Sequence, residues 1–332
     1  MRAVVLESHG DPAVLVLRDV PDPEPGPGEV LVDIVATALN RADLLQRRGW
    51  YPEPGPPREH EIPGMELAGR VAAVGDRVEA WSVGDEGMAI VSGGSYAERI
   101  TVPERQLMAV PEPVGVRDAA AIPEVGITAH DALVTRGGLT AGGWALVHAG
   151  ASGVGSMAVQ PAKAMGARVV ATTSQGKVDA VRALGADVVV DRRAEDFVDA
   201  VREATSGQGV DTGLDVVGGD YLPRNVKALR VGGTIVQVGV MGGGRTEIDL
   251  GALLPKRANR ILDSLAQGQF TVHVDAIDEH RLHLVLQRIA NRLTLGLIIA
   301  ATIIGAAMMM RVETDTRILG FPAIAILFFT FA

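Results

Sequence analysis

The stretch Val147–Gly155 reads VHAGASGVG and directly follows the apolar run Trp144–Leu146. A helix-like pattern then runs from Met157 to Met165. An apolar strand, a turn of small residues and a helix start are the arrangement that holds a dinucleotide pyrophosphate, because backbone N–H groups and the helix N-terminus face the phosphates. An ordinary tight turn between a strand and a helix gives the same pattern. The surrounding sequence decides between the two interpretations.

The composition narrows the class of protein. The chain has 332 residues, enough for two domains, and a net charge of −9, which argues against a nucleic-acid partner. It contains no cysteine, which excludes disulfides, cysteine-ligated zinc and a cysteine nucleophile and is compatible with a reducing compartment. The N-terminus, MRAVVLESHG, enters a strand-like segment at once, so we expect no signal peptide.

Residues 1–115 form a β-rich region. Short runs rich in Val, Ile and Leu alternate with turn sequences such as DPEPGPGE at 22–29, a spacing typical of a small barrel or sandwich. The segment NRADLLQRRGWYPEPGPP at 40–57 predicts a short helix followed by a Pro/Gly loop. Its polar groups suit the rim of a site, although a plain connector fits the composition equally well.

Residues 116–258 instead alternate between helix and strand patterns. After a helical stretch at 117–132, the predicted strands and helices follow in the order 145–148, 155–165, 167–172, 175–184, 187–190, 197–205, 212–217, 221–229 and 233–238. Such alternation predicts a parallel sheet with right-handed crossover helices, and the glycine loop follows its first strand, where a nucleotide site belongs. The last strand ends in VGVMGGG at 238–244, whose small residues let backbone approach the nicotinamide end of a cofactor.

The second strand of this region ends at TTSQGK, residues 172–177. An NAD-preferring site usually places Asp or Glu there for the ribose 2′-OH, and neither is present. Ser174 and Lys177 can instead bind a 2′-phosphate, which favours NADPH; the alternative for Lys177 is a solvated helix lysine. Arg192, after the next strand, can add a second cation, although the adjacent pair with Arg193 is more often surface charge.

Six motifs in a fixed order carry a resemblance to a known family. They are ALNRADLLQRRGWYPEPGPP at 38–57, IPGMELAGRVAAVG at 62–75, VGDEGMAIVSGGSYAERITVP at 83–103, AAAIPEVGITAHDAL at 119–133, VHAGASGVG at 147–155 and LDVVGG at 214–219. Together they resemble the medium-chain dehydrogenase/reductase superfamily, and within it the zinc-free, zeta-crystallin-like NADPH:quinone oxidoreductases. The resemblance covers residues 1 to about 258, more than three quarters of the chain.

The resemblance implies an α/β fold, with a GroES-like β-rich catalytic domain over 1–115 and a Rossmann doubly wound parallel sheet over 116–258. It also implies NADPH-dependent reduction of a small-molecule quinone or related enone. Zinc-dependent relatives carry a Cys in place of Asn40 and a His in place of Met65, so we expect no metal site here. Without a Lewis acid, reduction of a ready hydride acceptor is favoured over alcohol oxidation. The relatives are often dimers, which leaves a homodimer open.

Roles for individual residues follow from the resemblance by position. Asn40 and Tyr51 would face the nicotinamide and substrate cleft as the catalytic pair, with Tyr51 a proton donor, a hydrogen-bond donor or an aromatic wall. No general acid stands out, and water can equally supply the proton. The residues implied to hold the cofactor, besides Asn40, are Thr128, Gly150, Ser152, Gly153, Val154, Gly155, Ser174, Lys177, Met241 and Gly242, with Arg192 added from its position.

The C-terminal tail departs from this family after LLPKRAN at 253–259. Residues 293–310, LTLGLIIAATIIGAAMMM, are uncharged and long enough to span a bilayer, whereas the second apolar run at 318–332 is short for one. We therefore predict a juxtamembrane amphipathic segment over 259–292 and a membrane helical hairpin over 293–332 that contacts lipid. The alternative is a very apolar buried helix plus a strand.

Arg281, Arg288 and Arg292 precede the first apolar run, so the positive-inside rule predicts a membrane-anchored protein whose enzyme domain lies in the cytoplasm. The segment from about Arg260 resembles the membrane end of UbiB-family atypical kinases, but nothing before it resembles a kinase core, so no kinase activity is expected. Because this tail replaces the family's usual closing segment, two interpretations stand. The chain is a membrane-tethered reductase, or a gene fusion has made a catalytically inactive nucleotide-binding membrane protein.

Overall fold

The structure, a computed structural model, describes residues 1–51, 59–248, 317–318 and 321–322. The chain divides into two compact units, Met1–Gly268 and Gln269–Ala332. Within its described residues, the first unit contains an antiparallel sheet and a parallel sheet of five strands each, and a separate hairpin.

The N-terminal half of the first unit is antiparallel. Its strands are β1 (Arg2–Leu6), β2 (Leu15–Asp19), β3 (Glu29–Thr37), β4 (Glu66–Val74), β5 (Glu86–Ile90), β6 (Arg99–Pro103) and β7 (Met108–Ala109). β1 and β2 form the hairpin, and the others form a sheet in the order β6-β3-β4-β5-β7. Alternate residues of β3, such as Val30 and Val32, are buried, as expected for strands with one face on a core. Helix α1 (Arg41–Arg47) follows β3, and 3₁₀ turns lie at Pro12–Val14 and Glu104–Gln106.

The second half of the first unit is the predicted parallel sheet. Its strands are β8 (Trp144–Val147), β9 (Arg168–Thr173), β10 (Val188–Asp191), β11 (Val210–Asp215) and β12 (Leu229–Gln237). They lie in the order β10-β9-β8-β11-β12 and every pairing is parallel. The chain builds outward from β8 to β10 and then returns to β11 on the other side, so the direction of winding reverses between β8 and β11. This reversal is where ligands bind in such sheets. The α/β prediction with a doubly wound sheet is confirmed.

Helices connect these strands. They are α2 (Val116–Ala119), α3 (Pro123–His130), α4 (Gly153–Ala164), α5 (Val178–Ala183), α6 (Phe197–Ala204) and α7 (Tyr221–Ala228), with a π-helical turn at Asp131–Arg136 and a 3₁₀ turn at Gln175–Lys177. The helical stretch predicted over 117–132 is mostly helical but is interrupted, since α2 and α3 are separate. Pro123 lacks an N–H and disfavours helical backbone at the residue before it, so it ends one helix and suits the first turn of the next.

Helix α4 packs tightly on the parallel sheet. Its inward residues include Ala158, Val159 and Ala162, which are fully buried in one cluster with Ala145 of β8 and Val169 of β9. Small side chains let a helix axis come close to a sheet. The N-terminus of α4 is therefore fixed above the carboxyl end of β8, where the glycine loop lies.

In the second unit the described residues are two short strands, β13 (Arg317–Ile318) and β14 (Phe321–Pro322), which pair antiparallel. They fall at the start of the apolar run 318–332, where a membrane helix was predicted, so that prediction is wrong at these residues. Pro322 accounts for the difference, because proline disfavours helical backbone at the residue before it. The remainder of the predicted juxtamembrane segment and hairpin lies outside the described residues. Among the residues that are described, no helix combines the length and apolarity needed to cross a bilayer.

Candidate functional site

A cavity of about 400 Å³ opens at the carboxyl edge of the parallel sheet. Its walls come from the segments that follow β8, β9, β10, β11 and β12, and from the start of α7. The lining residues are Ala149, Ala151, Ser152, Thr172, Thr173, Ser174, Lys177, Arg192, Val217, Tyr221, Met241 and Gly242. Because the cavity spans the ends of both β8 and β11, it lies at the reversal of the strand order.

Six of the residues predicted to bind a cofactor line this cavity together. They are Ser152, Ser174, Lys177, Arg192, Met241 and Gly242. The predicted Gly150, Gly153, Val154 and Gly155 belong to the same loop and to the first turn of α4. Asn40, Tyr51 and Thr128 are not among the cavity's lining residues and lie elsewhere in the described part of the first unit.

The glycine loop is packed so closely that its backbone is the cavity wall. A Cβ on Gly155 would stand 2.2 Å from the carbonyl oxygen of Ala149, which no real side chain tolerates. A Cβ on Gly150 would stand 3.0 Å from the Cβ of Ala171, and the Gly150 N–H donates to the Thr172 carbonyl at 2.8 Å. These contacts leave a shallow cradle of backbone that suits the close approach of a pyrophosphate.

Ser152 caps helix α4 at this cradle. Its backbone is extended, and its Oγ accepts a hydrogen bond from the Gly155 N–H at 3.0 Å. Serine is a favoured residue at this position because it satisfies one of the free N–H groups of the first turn. The first N–H groups of a helix lack intrahelical partners and its N-terminal end carries partial positive charge, so this end of α4, whose cap lines the cavity, suits an anion.

Two exposed cations line the cavity, Lys177 after β9 and Arg192 after β10. Lys177 and Arg192 form no ion pair within the described residues, whereas nearby Lys163 pairs with Asp187 at 2.8 Å. Ser174 lies beside them at the end of β9. Two unneutralised cations and a hydroxyl are suited to a phosphate, which takes charge-assisted hydrogen bonds from such groups.

A buried carboxylate joins the two halves of the first unit. Glu66 begins β4 and is only 1% exposed. Its Oε1 accepts from Asn40 Nδ2 at 2.7 Å, and its Oε2 accepts from the Glu124 N–H at 2.9 Å. Asn40 precedes α1 and Glu124 lies in α3, so one carboxylate connects the antiparallel half to the helix that packs on α4. This role was not predicted from the sequence, although an acidic residue at the start of the apolar strand ELAGRVAAV was its visible sign.

Thr128 is held by a second acidic residue. Its Oγ1 donates to Glu124 Oε1 at 3.4 Å, one helical turn away on α3. Burial, and then the charges of Glu66 and Asp43, raise the pKa of Glu124. Burial also raises the pKa of Asp43, which accepts from the Tyr96 hydroxyl at 2.8 Å. Three carboxylates therefore lie close together at the predicted nicotinamide residues Asn40 and Thr128.

Tyr51 lines a separate cavity of about 240 Å³. The other lining residues are Gln46, Met65, Ile90, Val91, Ser92, Gly93 and Gln106. The resemblance placed Tyr51 and Asn40 in one cleft. In the structure, Tyr51 shares its cavity with Met65 and not with Asn40.

The donor set around Asn40 does not suit zinc. Asn40 uses its amide nitrogen as a donor to Glu66, and Met65 offers a thioether. Protein zinc sites are built from thiolate, imidazole and carboxylate ligands, so Glu66 alone among these three is of a suitable type. In the described ranges, no three His, Asp or Glu side chains are grouped so that they could hold a metal ion.

His148, inside the glycine motif, is a second residue whose role was missed. It is completely buried and hydrogen-bonded through both ring nitrogens, to Thr172 and to Asn225. The sequence shows only that a polar residue, His148, ends an apolar strand. The hydrogen-bond partners of His148 lie far along the chain, and no local sequence pattern identifies them.

Comparison with protein families gives three matches along the chain. Residues 26–112 match the alcohol dehydrogenase GroES-like domain, and residues 153–279 match the zinc-binding dehydrogenase family. Residues 277–332 match the ABC1/UbiB kinase-like C-terminal domain. The first two matches coincide with the antiparallel and parallel halves described above, and the third falls on the tail.

Several characterised proteins are similar in sequence. A quinone oxidoreductase of Pseudomonas aeruginosa is 35% identical over 258 residues, which cover 77% of this chain and 78% of that protein. The human synaptic vesicle membrane protein VAT-1 homolog is 35% identical over 72% of this chain and 61% of its own length. A polyketide synthase component of Streptomyces venezuelae, PikAII, is 36% identical over 72% of this chain, which spans 7% of that much longer protein.

Solved structures share the fold of the first unit. The crystal structure of AibC superposes with a TM-score of 0.72 at 30% identity, over 81% of this chain and 86% of AibC. The Escherichia coli quinone oxidoreductase, solved in complex with NADPH, superposes with a TM-score of 0.69 at 28% identity, over 82% of this chain and 90% of its own.

The raised pKa of Glu124 gives a stability prediction. The folded state holds this proton more tightly than the unfolded state, so ionisation of Glu124 lowers stability as pH rises above the unfolded value of about 4.3. Glu124→Gln removes the charge and keeps an acceptor for Thr128. We expect its melting temperature to exceed that of the wild type by about 1–3 °C near pH 7.5, and the difference to vanish near pH 4.

The control for this measurement is Glu112→Gln, because Glu112 is exposed and precedes α2. The control should melt with the wild type at every pH. A Glu124→Gln difference that does not change between the two pH values would contradict the assignment of a buried, destabilising charge.

Proposed function

The chain belongs to the medium-chain dehydrogenase/reductase family, and from this premise we propose that it is an oxidoreductase that uses NADPH to reduce a quinone or a related enone. The observation that carries the proposal is the cavity at the end of the parallel sheet, with a capped helix N-terminus on one wall and, on another, two cations without an ion-pair partner in the described part of the chain. Quinone oxidoreductases are among the similar proteins, which supports a quinone as the acceptor.

The preference for NADPH over NADH rests on the residues after β9. Ser174, Lys177 and Arg192 surround the place where the ribose 2′ position lies in sheets of this type, and an acidic partner for a 2′-OH is absent from the sequence 172–177. Arg and Lys bind phosphate by charge-assisted hydrogen bonds. The NADPH complex of the Escherichia coli relative supports the same choice.

The chain's own residues would bind and orient the reactants. When bound, NADPH supplies a hydride, which carries two electrons and, with one further proton, converts a quinone to a hydroquinone. Met241 and Gly242 form the wall opposite the glycine loop, where they would fix the nicotinamide. The further proton would come from water or from the Tyr51 hydroxyl, which lines its own cavity beside Met65.

Independence from zinc is part of the proposal. Asn40 and Glu66 are committed to each other by a hydrogen bond, and neither Asn40 nor Met65 is a usual zinc ligand. A quinone accepts a hydride without a Lewis acid to polarise it, so these residues suit that substrate better than an alcohol.

A direct test is NADPH oxidation by the full-length protein in detergent with a soluble benzoquinone as acceptor. We expect saturable binding of NADPH by fluorescence titration and turnover that an excess of EDTA leaves unchanged. Lack of NADPH binding would refute the proposal. Binding without turnover of any quinone would establish the alternative, an inactive nucleotide-binding protein, and loss of turnover in EDTA would refute zinc independence.

Cofactor preference has its own test in Lys177→Ala. Removing one of two phosphate-binding cations should raise the dissociation constant of NADPH about tenfold, equivalent to about 1.4 kcal/mol, and leave that of NADH within about twofold. The matched control is Lys227→Ala, which removes an exposed lysine at the end of α7 outside the cavity. Equal weakening of both cofactors, or no change in NADPH affinity, would contradict the 2′-phosphate assignment.

Membrane attachment through the tail is a separate proposal. It is supported by the uncharged apolar sequence at 293–310, by the three preceding arginines and by the match of residues 277–332 to the ABC1/UbiB kinase-like C-terminal domain. We expect the full-length protein to stay in the membrane pellet after carbonate extraction. The variant Ile303→Lys/Ile304→Asp should be released, because charges are costly inside a bilayer. Release of the wild type would refute the anchor.

A further inference from the structure

The histidine of the glycine motif lies beneath the cavity and is fully paired. His148 follows β8 directly and is 0% exposed. Its Nδ1 is 3.0 Å from Thr172 Oγ1, and its Nε2 is 2.7 Å from Asn225 Oδ1. Burying an unpaired polar atom is costly, so two short hydrogen bonds at one buried ring show a site built around it.

The available donors and acceptors fix the direction of each hydrogen bond that links Asp215, Asn225, His148 and Thr172. Both oxygens of Asp215 receive N–H donors, and Oδ2 takes its hydrogen bond from Asn225 Nδ2 at 2.7 Å. The amide of Asn225 must therefore turn its oxygen to His148, whose Nε2 carries the proton and donates. Nδ1 is then the acceptor, and the Thr172 hydroxyl donates to it.

At one end, this chain of hydrogen bonds reaches the glycine loop. Once the Thr172 hydroxyl has donated to His148, its oxygen accepts from the Ala149 N–H at 3.3 Å. The Thr172 carbonyl accepts from the Gly150 N–H at 2.8 Å. Ala149 has a φ of 52°, which is unusual for a residue with a side chain, so these two hydrogen bonds hold the loop in a conformation that it would not favour alone.

The opposite end of the chain reaches the facing wall of the cavity. Asp215 Oδ1 accepts from the N–H groups of Val217 and Gly218 at 2.6 and 3.1 Å. Val217 lines the cavity, and the Gly218 backbone is so close to the segment after β12 that a Cβ would stand 3.0 Å from the Gly243 carbonyl oxygen. The hydrogen-bonded chain therefore connects the glycine loop to the wall that carries Val217.

Aromatic rings seal this connection from water. The His148 ring meets Phe197 edge-on, with centroids 4.7 Å apart, and meets Tyr221 edge-on at 4.8 Å. Tyr221 also lines the cavity. Exclusion of water by these rings strengthens the hydrogen bonds of His148, since electrostatic interactions are stronger where water is absent.

Burial is the main reason that the ring stays neutral. Burial lowers the pKa of His148, and the Arg224 guanidinium on α7 acts in the same direction, against the opposing effect of Asp215 on β11. Arg224 lies over Phe197 and pairs with Asp196 Oδ2 at 3.3 Å, so its charge is itself held in place. A neutral ring with one donor and one acceptor is what the directed chain requires.

We propose that Asp215, Asn225, His148 and Thr172 form a positioning relay. The relay holds the glycine loop and the segment that carries Val217, two walls of the nucleotide cavity, in fixed relative positions. The relay rests on the proposed NADPH site and deepens it, by assigning cofactor affinity to four residues of which only Thr172 lines the cavity. Each hydrogen bond runs in one direction only, so the loss of any one member leaves its neighbours without a partner.

The first test compares two substitutions of Thr172. Thr172→Val keeps the shape and removes the hydroxyl, which leaves the Ala149 N–H and His148 Nδ1 unpaired. We expect the dissociation constant of NADPH to rise about tenfold. Thr172→Ser restores the hydroxyl without the methyl group, and should bind NADPH within about threefold of the wild type. Fluorescence titration of the full chain measures both.

The second test uses pH to switch the relay in Asn225→Asp. At low pH the new carboxyl shares a proton with Asp215 and can still accept from His148, so the chain is intact. At high pH both carboxylates are ionised and repel each other. We expect the ratio of variant to wild-type dissociation constants to be within about threefold near pH 5.5 and above about tenfold near pH 8.5. Using this ratio cancels the titration of the 2′-phosphate itself.

The outcomes separate the relay from the proposed function. If the wild type does not bind NADPH, the proposed function fails. If the wild type binds, but Thr172→Val and Asn225→Asp bind equally well at every pH, the relay is refuted. A loss in Thr172→Ser as large as that in Thr172→Val would also overturn it, because the restored hydroxyl would then have no effect. So would a loss in Asn225→Asp that does not vary with pH, because the charge of the new carboxylate would then not be its cause. Melting temperatures at each pH verify that the variants are folded.

Discussion

The constraint on which the rest of the site depends is the contact between the start of α4 and the glycine loop. At Gly155 a Cβ would stand 2.2 Å from the Ala149 carbonyl oxygen, so only glycine lets the helix begin there. This contact directs the N-terminus of α4 at the cavity and brings the cap at Ser152 to its edge. In the proposed NADPH site, the cations at Lys177 and Arg192 would reach a phosphate only because the helix end fixes where the rest of the dinucleotide would lie.

Two buried carboxylates hold the helices and loops around that contact together. Each does so by accepting hydrogen bonds from two different elements. Glu66 accepts N–H donors from the start of α1 and from α3, while Asp215 accepts from the loop after β11 and from α7. A buried carboxylate is tolerated when hydrogen bonds from several elements replace its hydration, and its loss leaves all of those donors unpaired. Each of these side chains therefore acts as a joint between elements rather than as part of a single element.

How much of this could be predicted from sequence depends on the distance between partners along the chain. The strand, turn and helix around Val147–Gly155 are local, and their periodicity predicted the parallel sheet and the cavity that Ser174 and Lys177 line. The joints are not local. His148 and Asn225 are 77 residues apart, and Glu66 lies 58 residues from Glu124, so only the packed fold brings them together. The break between α2 and α3 is a different case, because Pro123 was visible in the sequence and outweighed the apolar periodicity.

The joint at Glu66 also bears on the proposed independence from zinc. Residues 153–279 match a family described as zinc-binding, yet the resemblance places Asn40 and Met65 where zinc-dependent relatives carry ligands. Here the Asn40 amide nitrogen and the Glu124 N–H occupy the two oxygens of Glu66. Each carboxylate oxygen keeps a second lone pair, so these hydrogen bonds do not by themselves exclude a cation, but they do give Glu66 a structural role between the antiparallel half and α3. This structural role of Glu66 is compatible with the proposed zinc-independent reductase, in which NADPH would supply the hydride.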